Sequence, residues 1–163
     1  MQQRQALFKA SSVRSDLKVY IVNRQKDLPL PIQQIKHMAK EVVALEKKNF
    51  DETTLHFVDI KTISKLHNLY FQDPSATDCI SFPMDQAEQP GYKILGEVFV
   101  CPKVALEYTD KHGGSPYNEI ALYIVHGLLH LMGYDDCSTS DKRKMRRAEK
   151  KHMKHLQEKQ LIL

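Results

Sequence analysis

SPYNEIALYIVHGLLHLMGYDDC, residues 115 to 137, decides more about this chain than any other stretch. Ser115 followed by Pro116 supplies an N-cap and then a proline at the first helical position, where its missing N–H would have no partner anyway. Ile120, Ala121, Ile124, Val125, Leu128, Leu129, Leu131 and Met132 make the helix apolar over most of its circumference. Such a helix belongs at the centre of a core. Gly133 ends it, because glycine takes up the left-handed cap conformation without strain.

The same helix carries His126 and His130. Four residues advance a helix by about 400°, so the two imidazoles leave one face within about 40° of each other. That arrangement can share a tetrahedral zinc ion. As a bare pattern it is cheap: eight histidines in 163 residues yield roughly 0.4 such pairs by chance. Two buried histidines bonded to neighbours explain the spacing equally well. The surroundings favour the metal. Imidazoles on an apolar helix need partners, and the glycine turn brings Asp135 and Asp136 back towards them. Two histidines and an aspartate fill three positions and leave a fourth for water, as catalytic zinc sites do. Glu119, seven residues earlier on the same face, can orient a ligand imidazole or simply favour the helix dipole. His126 is followed by Gly127, not by the glutamate that serves as base in HExxH peptidases, which weakens a peptidase reading.

Outward from this helix, the elements alternate. Lys18–Asn23 reads as a strand. Ile32, Ile35, Met38, Ala39, Val42, Val43 and Leu45 fall at helical spacing after Pro29 and Pro31. A strand is predicted over 55–59. Thr62 is expected to cap a helix with Ile63, Leu66, Leu69 and Tyr70 as its apolar stripe. Strands follow over 79–82 and 97–101, the latter entered through Gly96, and a helix runs from Pro102 to about Lys111. A last helix spans about Ser140 to Lys159 with Met145, Ala148 and Leu156 inward. The whole predicts one α+β domain, a roughly four-stranded mixed sheet with about five helices, and the metal site between the central helix and the turn after it.

Size and composition agree. A chain of 163 residues, 42% hydrophobic, suits a single domain and holds no apolar run long enough to cross a bilayer. Residues 1–16 contain no continuous apolar stretch and read as a flexible lead-in, with the domain over 17–160 and the protein cytoplasmic. Cys79, Cys101 and Cys137 lack CxxC spacing and fit reduced thiols. The net charge is +4, yet residues 138–160 alone hold nine Lys/Arg against three Asp/Glu. All the excess positive charge lies there. A solvated helix face explains a charge run most simply; a polyanionic partner is the functional reading.

HGLLHLMGYDD resembles the HGxLHLxGYDH signature of the YbeY family, bacterial zinc-dependent endoribonucleases of ribosomal RNA maturation. Leu66–Tyr70 with Thr77-Asp78-Cys79-Ile80-Ser81-Phe82-Pro83 is similar to that family's LNxxYR…TDVLSFP segment. Gly96–Val100 is similar to its GDIxI strand, and Glu119 matches a family glutamate. The likeness runs in order from about 17 to 157. It implies one zinc ion per chain on His126, His130 and Asp136, the last standing where the family has histidine; carboxylate oxygen is a normal zinc donor. Asp135 matches the family's own aspartate, placed behind the ligands, and Cys137 is an alternative donor. The family arginine after the tyrosine is Phe71 here, which cannot neutralise a phosphate; Lys61, Lys65 and Lys103 are possible substitutes.

The resemblance therefore implies a single-strand-specific endoribonuclease acting at the small-subunit rRNA 3′ end. Metal-activated water would do the chemistry, and no side chain is assigned as base. Lys142, Arg143, Arg146 and Arg147 would hold the RNA backbone. Ribosomal RNA and the ribosome would be its partners, with no membrane. A non-cleaving RNA-binding assembly factor with a structural metal is the main rival, and a metalloprotease the weaker one.

Overall fold

The computed structural model describes residues 16–163; nearly all of the lead-in expected at 1–16 lies outside the described residues. In chain order the elements are β1 (Lys18–Asn23), α1 (Ile32–Leu45), β2 (Glu52–Phe57), α2 (Ile60–Phe71), β3 (Cys79–Pro83), β4 (Ile94–Val100), α3 (Pro102–His112), α4 (Pro116–Leu131) and α5 (Thr139–Glu158). The strands form one sheet in the order β1-β2-β4-β3. β1, β2 and β4 run parallel and β3 antiparallel to β4. This is the mixed α+β architecture that the alternation of patterns predicts.

α4 is the hub. It packs against α1, α3, α5, β3 and β4, and Ile120, Ala121, Ile124, Val125, Leu128 and Leu129 are fully buried. One face of the sheet meets it with Leu55, Phe57, Leu95, Val98 and Val100, while α1 adds Ile35, Met38, Ala39, Val42 and Val43. The approach is closest at Gly127. A Cβ there would collide with Val98 Cγ1 and lie 3.2 Å from Ser81 Oγ, while the Ser81 hydroxyl donates to the Gly127 carbonyl at 3.1 Å. Hydrogen is the only side chain this contact admits.

The end of α4 follows the expected turn. Gly133 has φ +99°; its N–H donates to the His130 carbonyl at 3.0 Å, and the Tyr134 N–H to the Leu129 carbonyl at 3.0 Å. These paired bonds are a Schellman closure.

Three elements differ from their predicted form. β2 begins at Glu52 and stops at Phe57, because Asp59 leaves the sheet to cap α2, accepting from the Thr62 N–H at 2.8 Å. Thr62 receives the cap and does not provide it. β4 starts at Ile94, so Gly96 sits inside the strand. The register advances from Glu52↔Ile94 to Thr54↔Glu97, one residue more on β4 than on β2, and Gly96 takes φ +139° against the Phe82 carbonyl. That is a β-bulge. In α2 only Ile63 is buried; Leu69, Tyr70 and Phe71 are 71%, 56% and 60% exposed. α2 covers only the β3 margin of the sheet, through a small cluster of Ile63 with Val58, Ile80 and Cys101. Its outer stripe therefore meets no second layer.

α5 buries Met145, Ala148 and Leu156 as its spacing predicts, and also His152. Its Nε2 lies 2.7 Å from Glu46 Oε1, and Glu46 Oε2 accepts from the Tyr134 hydroxyl at 3.0 Å. The pair ties α5 to the end of α1 and to the turn after α4. Burial pulls the His152 pKa below its ordinary value, against the pull of Glu46, so the imidazole is neutral. For Glu46, burial opposes ionisation, but the bonds from His152 and Tyr134 hold its pKa down on balance.

Both folded pKa values lie below their unfolded ones, so this stability is present at neutral pH and lost as the pH falls. The His152 share starts to go below about pH 6.5, where the unfolded chain takes up a proton the folded one refuses. His152→Gln is expected to flatten that part of the stability profile relative to wild type in urea unfolding across pH; parallel profiles would contradict it. Gly127→Ala is expected to destabilise by about 1–3 kcal/mol through overpacking, and Val98→Ala in the same chain to recover part of the loss.

Candidate metal centre

His126 and His130 sit one turn apart on α4, where the helix reaches the surface of the core. Their rings are inclined at 83° with centroids 4.5 Å apart. Nε2 of one lies 3.0 Å from Nε2 of the other. Asp136 enters from the turn, with Oδ2 3.7 Å from His126 Nε2 and 3.5 Å from His130 Nε2. Donors around a tetrahedral zinc with bonds near 2.0–2.2 Å stand about 3.3–3.5 Å apart. The three atoms are spaced to fit one such ion.

Proton positions carry the argument further. His126 Nδ1 lies 2.6 Å from Glu149 Oε1, and His130 Nδ1 lies 3.0 Å from the Tyr134 carbonyl. A carbonyl and an ionised carboxylate only accept, so both Nδ1 atoms carry the proton. With Nδ1 engaged, both rings turn Nε2 towards each other and towards the Asp136 carboxylate. The three atoms thus face one point that a cation can occupy. The residues present fit zinc. Burial would lower the His126 pKa, but the hydrogen bond and charge of Glu149, with Asp78 and Asp136, raise it on balance. The field that favours a proton there favours a metal ion equally.

Asp135 shapes the turn. Its Oδ1 accepts from the N–H groups of Asp136 at 2.7 Å and Cys137 at 3.3 Å, which directs Asp136 towards the imidazoles. The Cys137 thiol, and next the Asp136 N–H, hold the Asp135 pKa below its ordinary value by donating to its carboxylate. Cys137 groups with Asp135 and Asp136 and not with the histidines, and its thiol is pushed up by Asp135.

Glu119 bonds to neither imidazole. Seven residues of helix separate it from His126 by about 10 Å along the axis, and burial, then the charge of Asp78, raise its carboxyl pKa. The acceptor on His126 is Glu149 of α5. A single acid within the basic run KRKMRRAEKK, flanking the buried stripe of α5, was the available signal for it. Lys142, Arg143, Arg146 and Arg147 are all exposed on α5. At 100° per residue, Lys142 and Arg146 lie within about 60° of Glu149's bearing, while Arg143 and Arg147 point well away. The first two therefore share the side of α5 that meets the metal centre.

The centre opens into a cleft of about 470 Å³, lined also by His67, Phe71, Thr77, Asp78 and Ser81. Asp78 Oδ1 accepts from the Cys79 N–H at 2.7 Å. Half-exposed imidazoles and a carboxylate at the floor of a cleft are what a metal-dependent hydrolase offers its substrate. The chain belongs, more particularly, to the YbeY endoribonuclease family: the family model described as Endoribonuclease YbeY matches residues 20–157. A relative named Endoribonuclease YbeY from Protochlamydia amoebophila is 50% identical over 141 residues, covering 86% of this chain and 94% of its own. One of the same name from Chlamydia abortus is 36% identical, covering 90% and 96%. A Thermotoga maritima protein solved in solution superposes with a TM-score of 0.59 at 22% identity, over 83% of this chain and 87% of its own, and so shares the fold.

Removing the charge that orients a ligand imidazole typically lowers metal affinity 10–100-fold. Glu149→Gln is expected to do so in a competitive chelator titration, with an unchanged circular dichroism spectrum. Unaltered affinity would mean that the Glu149 bond is incidental.

Proposed function

We propose that this member of the endoribonuclease family is a zinc enzyme that cuts single-stranded RNA, its substrate being ribosomal RNA near the small-subunit 3′ end. His126, His130 and Asp136 hold one zinc ion. The observation that carries this is the convergence of His126 Nε2, His130 Nε2 and Asp136 Oδ2 on one point, with both Nδ1 atoms engaged by Glu149 and the Tyr134 carbonyl. When bound, zinc supplies Lewis acidity towards a phosphodiester and eases ionisation of water. Glu149 and the Tyr134 carbonyl fix the rings, and Asp135 fixes the loop that brings Asp136. Asp136 adds negative charge where a histidine would add none, which makes the metal a weaker acid. Lys142 and Arg146, with Arg143 and Arg147 further out, attract the RNA backbone without reading bases. Among the described residues no helix is long and apolar enough to cross a membrane, and we place the protein in the cytoplasm with the ribosome as partner.

A second reading rests on Phe71, which stands in the cleft and brings no positive charge there: an assembly factor that binds RNA without cutting it. A peptidase is disfavoured by the packing at Gly127, which leaves no room for a glutamate base.

Zinc-loaded protein is expected to cleave a single-stranded fragment of the rRNA 3′ region, and chelated protein to leave it intact. Asp136→Ala should lose both stoichiometric zinc and cleavage. RNA binding with no zinc-dependent cleavage would favour the assembly-factor reading. Cleavage that survives Asp136→Ala would remove Asp136 from the site.

A further inference from the structure

Phe71 is the last residue of α2 and lines the cleft together with His126, His130 and Asp136. Its ring is 60% exposed, unusual for a phenylalanine beside a polar site. The position is built. Gln72 closes the helix in the left-handed region at φ 57°, its N–H donating to the Asn68 carbonyl at 3.0 Å. Beyond it, Asp73 Oδ1 accepts from the Ser75 N–H at 2.9 Å, and His67 Nδ1 meets the Ser75 carbonyl at 2.9 Å. The His67 ring, one turn back, leans against Phe71 with centroids 5.6 Å apart and planes at 51°. An apolar ring is thus held at the mouth of the cleft by a braced helix end.

We propose that Phe71 is a stacking platform for a nucleobase next to the scissile phosphate, and so a specificity-determining residue of this enzyme. The inference rests on the RNA reading above. A phenyl ring does nothing for a phosphate, whereas every base offers it a flat apolar face. Charge around the cleft points the same way. Asp78, Asp135 and Asp136 line it and no Lys or Arg among the described residues does, so beside Phe71 the lining suits an uncharged base better than a phosphate. A cleft of about 470 Å³ takes an unstacked base from a single strand and not a paired duplex. Leu69 is more exposed still, at 71%, but does not line the cleft, and so provides a control.

The test uses the full chain, zinc-loaded, with short single-stranded RNAs carrying 2-aminopurine at successive positions around the cut. Wild type is expected to quench the fluorophore at one flanking position. Phe71→Ala should abolish that quenching and weaken binding roughly ten-fold, the usual scale of one base–aromatic stack. Phe71→Trp should retain both, and Leu69→Ala should behave as wild type. An abasic site at the same position should weaken binding to wild type but cost Phe71→Ala little. Quenching without cleavage would keep the stacking role while sinking the nuclease. Equal quenching by wild type and Phe71→Ala, an abasic penalty of the same size in both, or no RNA binding by wild type would overturn the proposal.

Discussion

The contact between Gly127 and Val98 sets the distance between α4 and the sheet, and the rest of the protein is arranged around it. Because the helix lies so close, its apolar circumference is satisfied by β3 and β4 on one side and by α1, α3 and α5 on the others. Its C-terminal half, with His126 and His130, is left at the rim of the core. One extra carbon at position 127 would act directly on the register between these histidines and the strand that borders their cleft. The same absence of side chain separates this site from HExxH peptidases.

A second layer of polar contacts then converts two histidines into a directed pair. The turn that ends α4 contributes twice, since Gly133 closes the helix and the following carbonyl holds His130. α5 contributes Glu149 to His126 and His152 to Glu46, while Glu46 also holds the hydroxyl of Tyr134. Each imidazole is therefore fixed by a group that is itself anchored. Such anchoring holds the donor atoms in one orientation.

Asp136 and Phe71, where the sequence departs from the motif it resembles, stand at different parts of the cleft. Asp136 brings a carboxylate to the two imidazoles at distances suited to one ion. Phe71 brings an uncharged ring to the lining of the cleft. Neither disturbs the fold, because both side chains lie outside the buried core. The same overall fold is found in a solved structure at 22% identity.

Local pattern alone determined α4, its proline start and glycine stop, the facing histidines, the basic run of α5 and the succession of strands and helices. These are legible because helical and strand periodicities report which face is apolar, and because caps and turns are decided within a few residues. The YbeY resemblance added Asp136 as the third ligand, which the pattern left open between two aspartates. Tertiary structure decided what those faces meet. Glu149, Glu46 and Tyr134 find their partners across 23, 106 and 88 residues, separations on which no local pattern bears. It also left Leu69, Tyr70 and Phe71 outside the core, since an apolar stripe is buried only where a second layer covers it. Glu119 shares the helix face of His126, but the imidazole bonds to the acid that α5 brings alongside it.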